Sequence, residues 1–453
     1  MTPDAKIQIF AIKRGMITNR LDAAFFHLQQ ETVSNRNVET LGDLCVEEPN
    51  YGSSRPAIKK ENDKQPNYIR ITDFSDFGIE EDHEFVSVAD FSPKDILRDK
   101  DLLFARTGAS VGKTYIHDDR IGFSVFAGYC IRFRFNRERV LPEYVWAYTK
   151  TKHFKSWVMR IQRKSGQPNI NKQEYKSVQM PCPSVGEQKR MVDSFMNGIR
   201  NRANKLRQAG KLLAGMDEFV FNTLRLSPKN KFNMLGFAVH LKHLNGVIDV
   251  KRHYNTNQLE SRLKIQDIAD IVKQKINPQN YPEDVFDWIR IDDLPNQPID
   301  ITEIRTECGD AIEGTFFEVR PGDILVARLG PTILNRKTVM VRTIQRRTIA
   351  SAEFLVLRCK DGFLPEAVMA ILKMKFFVDQ MYAHARGSTP SRYRLNREDM
   401  LNLAFPDITN MQLQQLISRE AISRRCQAIE LRKSAEKDWQ NAREQFEKQL
   451  FGE

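Results

Sequence analysis

The stretch DLLFARTGASVGKT, residues 101–114, contains the pattern that decides how this chain folds. Its first eight residues recur about 220 positions later as DILVARLG, residues 323–330. In both copies an apolar run ends in Ala-Arg, and a glycine follows after one further residue. This pattern is typical of a β-strand that ends in an exposed arginine and a glycine turn. The shared element is therefore predicted to be a strand and its turn.

The triplet Gly112-Lys113-Thr114 also suggests a nucleotide-binding loop. Such a loop has four residues between its first glycine and the Gly-Lys pair. Here only three residues separate Gly108 from Gly112, and the second copy lacks a Gly-Lys-Thr triplet. The spacing favours the strand-and-turn interpretation. An enzyme that uses this loop remains a rival hypothesis, which nucleotide titration with a Lys113→Ala control would test.

Other segments pair in the same order along the chain. They are NYIRITDF (67–74) with DWIRIDDL (287–294), LPEYV (141–145) with LPEAV (364–368), GQPNIN (166–171) with GSTPSRYRLN (387–396), and MPCPSVGEQ (180–188) with FPDITNMQL (405–413). LDAAFF (21–26) also resembles IDVKRHY (248–254). Matches in one order at a nearly constant offset predict two copies of one unit.

Each copy is predicted to be a strand-rich, mixed α/β module followed by a long helix. The fold class is therefore α+β, with a pseudo-twofold internal repeat and two long antiparallel coiled-coil helices that join the modules. The predicted divisions are a first module at 1–184, a central helix at 185–224, a second module at 225–410 and a C-terminal helix at 411–453. The turn residues and charges of 225–233 are typical of a linker.

The two long helices show a seam of apolar residues at three-four and seven-residue spacing. The predicted contact residues are Val192, Phe195, Ile199, Leu206, Leu213, Met216 and Val220 in the first helix, and Ala428, Ala435, Trp439 and Phe446 in the second. Gly198 and Gly210 weaken the first helix in isolation, so it is expected to need a partner helix. The alternative is two amphipathic helices that pack only on their own modules.

The charge balance points to a polyanionic partner. The 453 residues carry a formal net charge of +12 and a pI near 9.3. An excess of this kind is common in nucleic-acid-binding proteins, although a basic protein without such a partner is the alternative. Six cysteines are scattered without metal-ligand or redox spacing. Reduced thiols in a cytoplasmic protein are the simplest account of them. The N-terminal residues have no apolar segment of signal-peptide length, and no segment reaches the length of a membrane span.

No catalytic constellation is evident in the sequence. Asn277-Pro278 lacks the residues of an adenine-methylating site, and His240 with His243 has no third ligand at a recognisable spacing. The chain is therefore interpreted as a binder with no catalytic and no metal site. Basic and amide side chains in loops are candidate DNA contacts, although a charge cluster is often only a solvated face. The candidates are Arg70, Arg106, Lys113, Arg160, Arg163, Lys164, Gln167, Arg290, Arg328, Arg346, Arg347, Arg386, Ser388, Arg392 and Arg394.

The predicted helices also suggest the form of the DNA target. A helix of about 40 residues is roughly 60 Å long, and one turn of B-form DNA spans about 34 Å. Two modules held one to two turns apart would read two short sequences with unread bases between them. Because the two copies have diverged, these sequences are expected to differ. The target would be bipartite and asymmetric.

Taken together, these segments resemble the specificity subunit of type I restriction–modification systems over essentially the whole chain. The resemblance rests on LDAAFF, DLLFARTGASVGKT, LPEYV, GQPNIN and PCPSVGEQKRMV. It implies two target-recognition domains, two helical regions that act as spacers and docking surfaces, and no catalysis in this chain. It also implies two methyltransferase subunits that bind S-adenosylmethionine, and a possible motor-nuclease subunit that uses ATP and magnesium.

Two further hypotheses stay open. The chain would look the same if it guided a methyltransferase in a different phage-defence system, and the co-purifying subunits would separate these cases. A non-catalytic adaptor whose repeated modules bind protein is the other alternative. An adaptor predicts weak, salt-insensitive DNA binding, whereas a protein that contacts phosphates loses affinity steeply as salt rises.

Overall fold

A computed structural model describes residues 37–80, 83–161, 168–226, 263–302 and 304–452. The chain divides into two compact units. The first unit contains residues 1–204 and 434–453, and the second contains residues 205–433. Each of the two long helices therefore contributes residues to both units. The linker at 225–233 and the segments at 21–26 and 248–254 lie wholly or mainly outside the described residues.

The first unit combines short strands with helices. Its strands are β1 Val38–Thr40, β2 Asn50–Tyr51, β3 Ala57–Ile58, β4 Asn67–Ile69, β5 Ser87–Val88, β6 Leu102–Ala105, β7 Thr114–Ile116, β8 Ser124–Phe126, β9 Cys130–Phe133 and β10 Gln179–Pro181. Its helices are α1 Pro142–Tyr148, α2 Lys152–Ile161, α3 Lys172–Lys176 and the first part of α4 Val185–Thr223. The central sheet is antiparallel in the order β2-β9-β6-β7, and β4 pairs in parallel with β8.

The second unit follows a similar plan. Its strands are β11 Ala269–Ile271, β12 Lys275–Ile276, β13 Val285–Ile289, β14 Arg305–Cys308, β15 Phe316–Glu318, β16 Ile324–Ala327, β17 Thr338–Met340, β18 Arg347–Ala350 and β19 Phe354–Cys359. Its helices are α5 Ile265–Ile268, α6 Gly330–Leu334, α7 Pro365–Leu372, α8 Lys375–His384, α9 Arg397–Leu401 and the first part of α10 Met411–Phe451. One sheet is antiparallel in the order β11-β19-β16-β17, and β13 pairs in parallel with β18.

The strand β6 is buried on both faces. Leu102 and Phe104 belong to one hydrophobic cluster, whereas Leu103 and Ala105 belong to another. Successive side chains of a strand point to opposite faces, so a strand between two cores is apolar throughout. The same division recurs in β16, whose alternate residues enter two separate clusters. The run DLLFAR is therefore apolar without alternation because both of its faces pack.

An aspartate precedes each of these strands and is almost completely buried. Asp101 and Asp323 are each 1% exposed. The Asp101 carboxylate accepts hydrogen bonds from Nε and Nη2 of Arg134, both at 2.7 Å. Asp323 accepts the same pair of bonds from Arg358, at 2.8 and 2.7 Å. A bidentate pair of this kind holds the start of the central strand to the neighbouring strand β9 or β19.

The entry into each long helix is fixed by a buried glutamine. Gln188 accepts a hydrogen bond from the backbone N–H of Leu141 and donates to the carbonyl of Pro183. Gln414 accepts from the N–H of Leu364 and donates to the carbonyl of Gly362. Gln414 is therefore the counterpart of Gln188. The sequence comparison aligned GEQ (186–188) with MQL (411–413), which places Gln188 opposite Leu413. That alignment is wrong by one residue, because the structure places Gln188 opposite Gln414.

The long helices lie antiparallel to each other within each unit. In the first unit the ring of Phe195 lies 5.6 Å from Trp439 and 5.3 Å from Phe446. A Cβ on Gly198 would lie 2.3 Å from the Cβ of Ala442, so this glycine allows close approach of the two helices. In the second unit Arg424 donates to the carbonyl of Leu212.

The predicted helix-contact residues are buried to different degrees. Ile199, Leu206, Leu213 and Met216 are half-buried, and the other predicted contact residues are buried. The prediction of a coiled coil is not tested by this burial alone, because helices packed on their own modules also bury such residues. The predicted module boundaries also stay a prediction.

Replacing the buried carboxylate tests the anchoring of the central strand. Asp101→Asn is expected to lower the free energy of unfolding of the first unit by roughly 3 kcal/mol, because it removes the buried charge that Arg134 binds through Nε and Nη2 and leaves only the more exposed Glu47 as its ion-pair partner. Urea unfolding followed by tryptophan fluorescence measures this change. Asp90→Asn is the control, because Asp90 pairs with Arg55 at a site where both side chains are mostly exposed. Equal loss in both variants would contradict the assigned role of Asp101.

Candidate nucleic-acid interface

The turn after β6 is built differently from a phosphate-binding loop. Gly108–Ser110 forms a single short 3-10 turn, and the chain then enters a strand rather than a helix. The Thr114 hydroxyl is buried 2.6 Å from the hydroxyl of Thr149 and also accepts a hydrogen bond from Lys150. This hydroxyl is occupied inside the core, whereas in a nucleotide site it would bind magnesium. The geometry does not support a nucleotide site at this turn.

Arg106 follows β6 directly and is held by its backbone. Its N–H donates to the carbonyl of Tyr129, and its carbonyl accepts from the N–H of Ile170. Its guanidinium lies over the ring of Tyr51 at 4.7 Å from the ring centroid. The Nε atom is buried without a hydrogen-bond partner, and Arg106 makes no ion pair with any described residue. The side chain is partly exposed, so its outer N–H groups are the ones that a ligand can reach.

Arg328 has the corresponding environment in the second unit. Its N–H donates to the carbonyl of Glu353, and its carbonyl accepts from the N–H of Leu395. Its Nε atom is also buried without a hydrogen-bond partner among the residues that the structure describes. The strand-ending arginines predicted from the sequence thus share one backbone arrangement. Each retains donors for an outside acceptor, such as a phosphate or a base edge.

A second loop lies beside each of these turns. In the first unit the Gly108 N–H donates to the carbonyl of Pro168, and Thr107 forms an isolated antiparallel β-bridge with Asn169. In the second unit the Gly330 N–H donates to the carbonyl of Tyr393, and Leu329 forms an isolated antiparallel β-bridge with Arg394. Within each unit the structure therefore places the strand-end turn beside the second loop, and the sequence comparison matches each of these segments with one in the other unit. Arg163, Lys164 and Gln167 belong to the first of these loops but lie outside the described residues.

The second unit places several candidate contacts around the Arg328 turn. Arg386 and Arg394 pair through their backbones, and both are exposed. Their side chains bind carboxylates: Arg386 donates to Asp399 at 3.2 Å, and Arg394 donates to Glu353 at 3.1 Å. Ser388 and Arg392 are exposed, and within the described part of the chain the Arg392 guanidinium has no side-chain partner. These residues form a basic loop beside the strand end.

Four other candidate arginines are engaged inside the protein. Arg70 donates to Asp73 at 2.9 Å, and Arg290 lies over Trp288 and contacts Asp292. Arg346 pairs with Asp287 at 3.7 Å. Arg347 donates to Glu318 at 2.6 Å and to Asp284 at 3.1 Å, and its pKa is raised by these hydrogen bonds. The guanidinium of Arg347 is thus occupied on two sides, although the structure does not test DNA contact by any of these residues.

Lys113 and Arg160 are exposed in the first unit. The carbonyl of Lys113 accepts from the Ala105 N–H, so its side chain emerges beside the Arg106 strand end. Arg160 lies in the last turn of α2. Neither position is contradicted by the structure.

Sequence reasoning missed the aromatic residues that accompany Arg106. Tyr51 lies beneath the guanidinium, and Tyr129 is 62% exposed although its ring is large and apolar. Aromatic faces beside arginine are common where proteins stack on nucleotides. Both tyrosines lie in segments of short apolar and polar runs that give no sequence signal for a binding site. Only the folded structure shows that they lie beside Arg106. Glu353 provides the equivalent backbone carbonyl in the second unit, so the two strand ends differ chemically.

The described residues contain no group of three or more histidine, cysteine, aspartate or glutamate side chains arranged to hold a metal ion. The helices within the described ranges are too short or too polar to cross a membrane.

A family model matches part of the chain. Residues 34–209 match the family model of the type I restriction modification DNA specificity domain. The match confirms, over this segment, the resemblance drawn from the sequence motifs. No curated protein matches the chain in sequence.

Several solved structures are similar to the chain. A chain from a type I R-M system, studied for complex assembly and conformational transition, is 14% identical with a TM-score of 0.43, covering 92% of this chain and 98% of that one. The HsdS subunit from Thermoanaerobacter tengcongensis is 14% identical with a TM-score of 0.34, covering 92% and 97%. The type I restriction-modification S subunit from M. genitalium is 12% identical with a TM-score of 0.43, covering 92% and 97%.

The two strand-ending arginines generate a prediction about DNA affinity. Arg106→Ala and Arg328→Ala are each expected to weaken duplex binding about tenfold, because each removes charged donors that lack an acceptor among the described residues. Fluorescence anisotropy with the full chain at several salt concentrations measures the loss.

Lys433→Ala is the matched control for this experiment. It also removes one positive charge, but its side chain is exposed on α10 and pairs with Glu430. Affinity should change little in this variant. If all three variants lose the same affinity, only net charge matters and the strand-end assignment is wrong.

Proposed function

Starting from the DNA specificity domain at residues 34–209, we propose that this chain is the sequence-specific DNA-recognition subunit of a type I restriction–modification complex. The observation that carries the proposal is the repeated strand end. Arg106 and Arg328 occupy the same backbone arrangement, both are partly exposed, and neither forms an ion pair with a described residue. A DNA phosphate or base edge would supply an acceptor for their outer N–H groups.

The target is proposed to be bipartite and asymmetric, with one half-site for each unit. The strand ends share their backbone contacts, but their surroundings differ. The first has Tyr51 and Tyr129 beside its arginine, and the second has the basic loop that contains Arg386, Arg392 and Arg394. Surfaces with different donors and aromatic groups select different bases. Two unlike half-sites follow from this difference.

The chain itself is proposed to be non-catalytic and to contain no cofactor. Methylation would be performed by two methyltransferase subunits that bind S-adenosylmethionine, and a motor-nuclease subunit that uses ATP and magnesium would join them. The exposed surfaces of α4 and α10 are the proposed docking elements for the methyltransferase subunits. The net charge of +12 supports a DNA partner, because a basic protein concentrates polyanions near its surface. The proposed location is the cytoplasm, where such complexes meet DNA.

Methylation mapping tests this proposal most directly. The chain is expressed with the methyltransferase encoded beside it, in a host that lacks its own adenine methylation, and the DNA is read by modification-sensitive sequencing. The expected result is one new motif with two different halves and an unread gap of fixed length. Replacing residues 1–184 by those of another specificity subunit should change only one half.

Two outcomes would count against the proposal. An active methyltransferase without a new motif would exclude a guiding role and would favour a protein-binding adaptor. A motif that changes in both halves after the replacement would show that recognition is not divided between the two units. The subunits that co-purify with the chain distinguish a type I complex from another methyltransferase-based defence system.

A further inference from the structure

The second unit contains a partly open cavity that the proposed DNA contacts do not involve. Its volume is about 340 Å³. One part of its wall is apolar and is formed by Leu213, Met216, Ile299, Met369 and Ala421. A cavity of this volume lies within the range of small-molecule sites, which are mostly apolar with a few polar groups.

The corresponding region of the first unit is filled by aromatic rings. Phe77 packs edge-on against Trp439 at 4.9 Å, and Trp439 packs against Phe195 at 5.6 Å. The guanidinium of Arg202 lies over Phe77 at 3.4 Å from the ring centroid. This cluster closes the space between the module and the two helices of the first unit.

The repeat identifies what stands at these positions in the second unit. Gln188 and Gln414 are counterparts, so Phe195 corresponds to Ala421, seven residues further along each helix. Trp439 lies seven residues before the buried Phe446, and Leu213 lies seven residues before the buried Val220. These spacings match Trp439 with Leu213.

Phe77 has a polar counterpart. Phe77 lies four residues after Asp73, and Gln297 lies four residues after Asp293 in the paired segment DWIRIDDL. Gln297 lines the cavity. Three aromatic residues of the first unit are therefore replaced by glutamine, alanine and leucine. The volume that their rings occupy in the first unit is open in the second.

The cavity also has a cationic side. Arg336, Lys373, Arg424 and Arg425 lie in its wall together with one acid, Asp217. Arg336 lies 3.6 Å from Asp217, Arg425 donates to Asp300, and Arg424 donates to Glu420. The Nε atom of Arg425 is buried without a hydrogen-bond partner in the described part of the protein. The wall therefore retains donors that its own acids do not satisfy.

Lys373 differs from its counterpart in the first unit. Lys150 is buried, lies 3.6 Å from the carboxylate of Asp76, and donates to both oxygens of Thr114. Lys373 donates to the carbonyl of Pro298 and forms no ion pair with a described residue. Burial and the neighbouring Arg336 and Arg342 lower the pKa of Lys373 to about 8, against the opposing effect of Asp300. An anion in the cavity would favour its charged form.

We propose that this cavity binds a small aromatic anion, with its ring against the apolar wall and its acidic group against Lys373 and Arg425. An aromatic body matches the space, because rings fill the equivalent region of the first unit. The thioethers of Met216 and Met369 provide favourable contacts for a ring. A carboxylate or phosphate group provides the acceptor for the cationic wall. The site lies within the second unit and is independent of the proposed recognition function.

The experiment uses the full chain without DNA and 2-naphthoate as the probe. Isothermal titration calorimetry compares 2-naphthoate with neutral 2-naphthamide, which has the same ring system. The anion is expected to bind at one site per chain and about tenfold more tightly than the amide, because only the anion forms ion pairs with the cationic wall. Equal affinity, or no saturable binding of 2-naphthoate at millimolar concentration, would overturn the proposal.

Two variants locate the site. Ala421→Phe restores the ring that the first unit has at this position and should abolish saturable binding of 2-naphthoate. Lys373→Met should reduce the affinity for 2-naphthoate about tenfold while leaving the affinity for 2-naphthamide unchanged. The Lys373 variant keeps the test valid if the larger side chain prevents folding, which circular dichroism would detect.

Lys375→Met is the matched control. Its side chain is 71% exposed and pairs with Asp379, so binding of 2-naphthoate should be unchanged. If this control loses as much affinity as Lys373→Met, the probe responds to surface charge and the cavity assignment is wrong. Because no DNA is present, failure here leaves the proposed DNA recognition untouched, and failure of methylation mapping leaves this site untouched.

Discussion

The strands β6 and β16 must bury side chains on both faces, and the rest of each unit depends on that constraint. A strand covered on both sides has only its ends at the surface. At the beginning of each strand a buried aspartate pairs with an arginine of the neighbouring strand. At the other end an arginine and a glycine turn emerge. The apolar core therefore fixes where the strand-ending arginine lies and which loop it meets.

The arginines of this protein fall into two groups that composition alone cannot separate. Arg347 binds two carboxylates and lies over aromatic rings, so its guanidinium stabilises the fold. Arg106 and Arg328 have no carboxylate partner among the described residues and keep a buried Nε without an acceptor. A positive charge that is already paired adds little attraction for DNA, whereas an unpaired and positioned guanidinium provides both charge and direction. The difference lies in the neighbours rather than in the residue type.

The two units share several interactions, and these can be compared pair by pair. The glutamines at the helix entries, the buried aspartates and the strand-ending arginines perform the same roles in both copies. Where the copies differ, the chemistry differs too. The first unit has the aromatic residues Phe77, Phe195 and Trp439 in contact, whereas the second unit has a cavity lined by Gln297, Ala421 and Leu213. Shared backbone contacts keep the fold while the exposed and cavity-lining side chains diverge.

The sequence by itself determined the strand-and-turn elements, the two long helices, and the segments that correspond between the two halves. These features depend on local hydrophobic periodicity and on repeated segments, and both can be recognised from the order of residues alone. The sequence missed the one-residue shift at Gln414, because a buried glutamine is identified by its hydrogen bonds and not by its neighbours in sequence. Only the tertiary structure decided which arginines are paired, which tyrosines stand beside Arg106, and where a cavity remains. Those properties depend on residues far apart in the chain that packing brings within a few ångströms of each other.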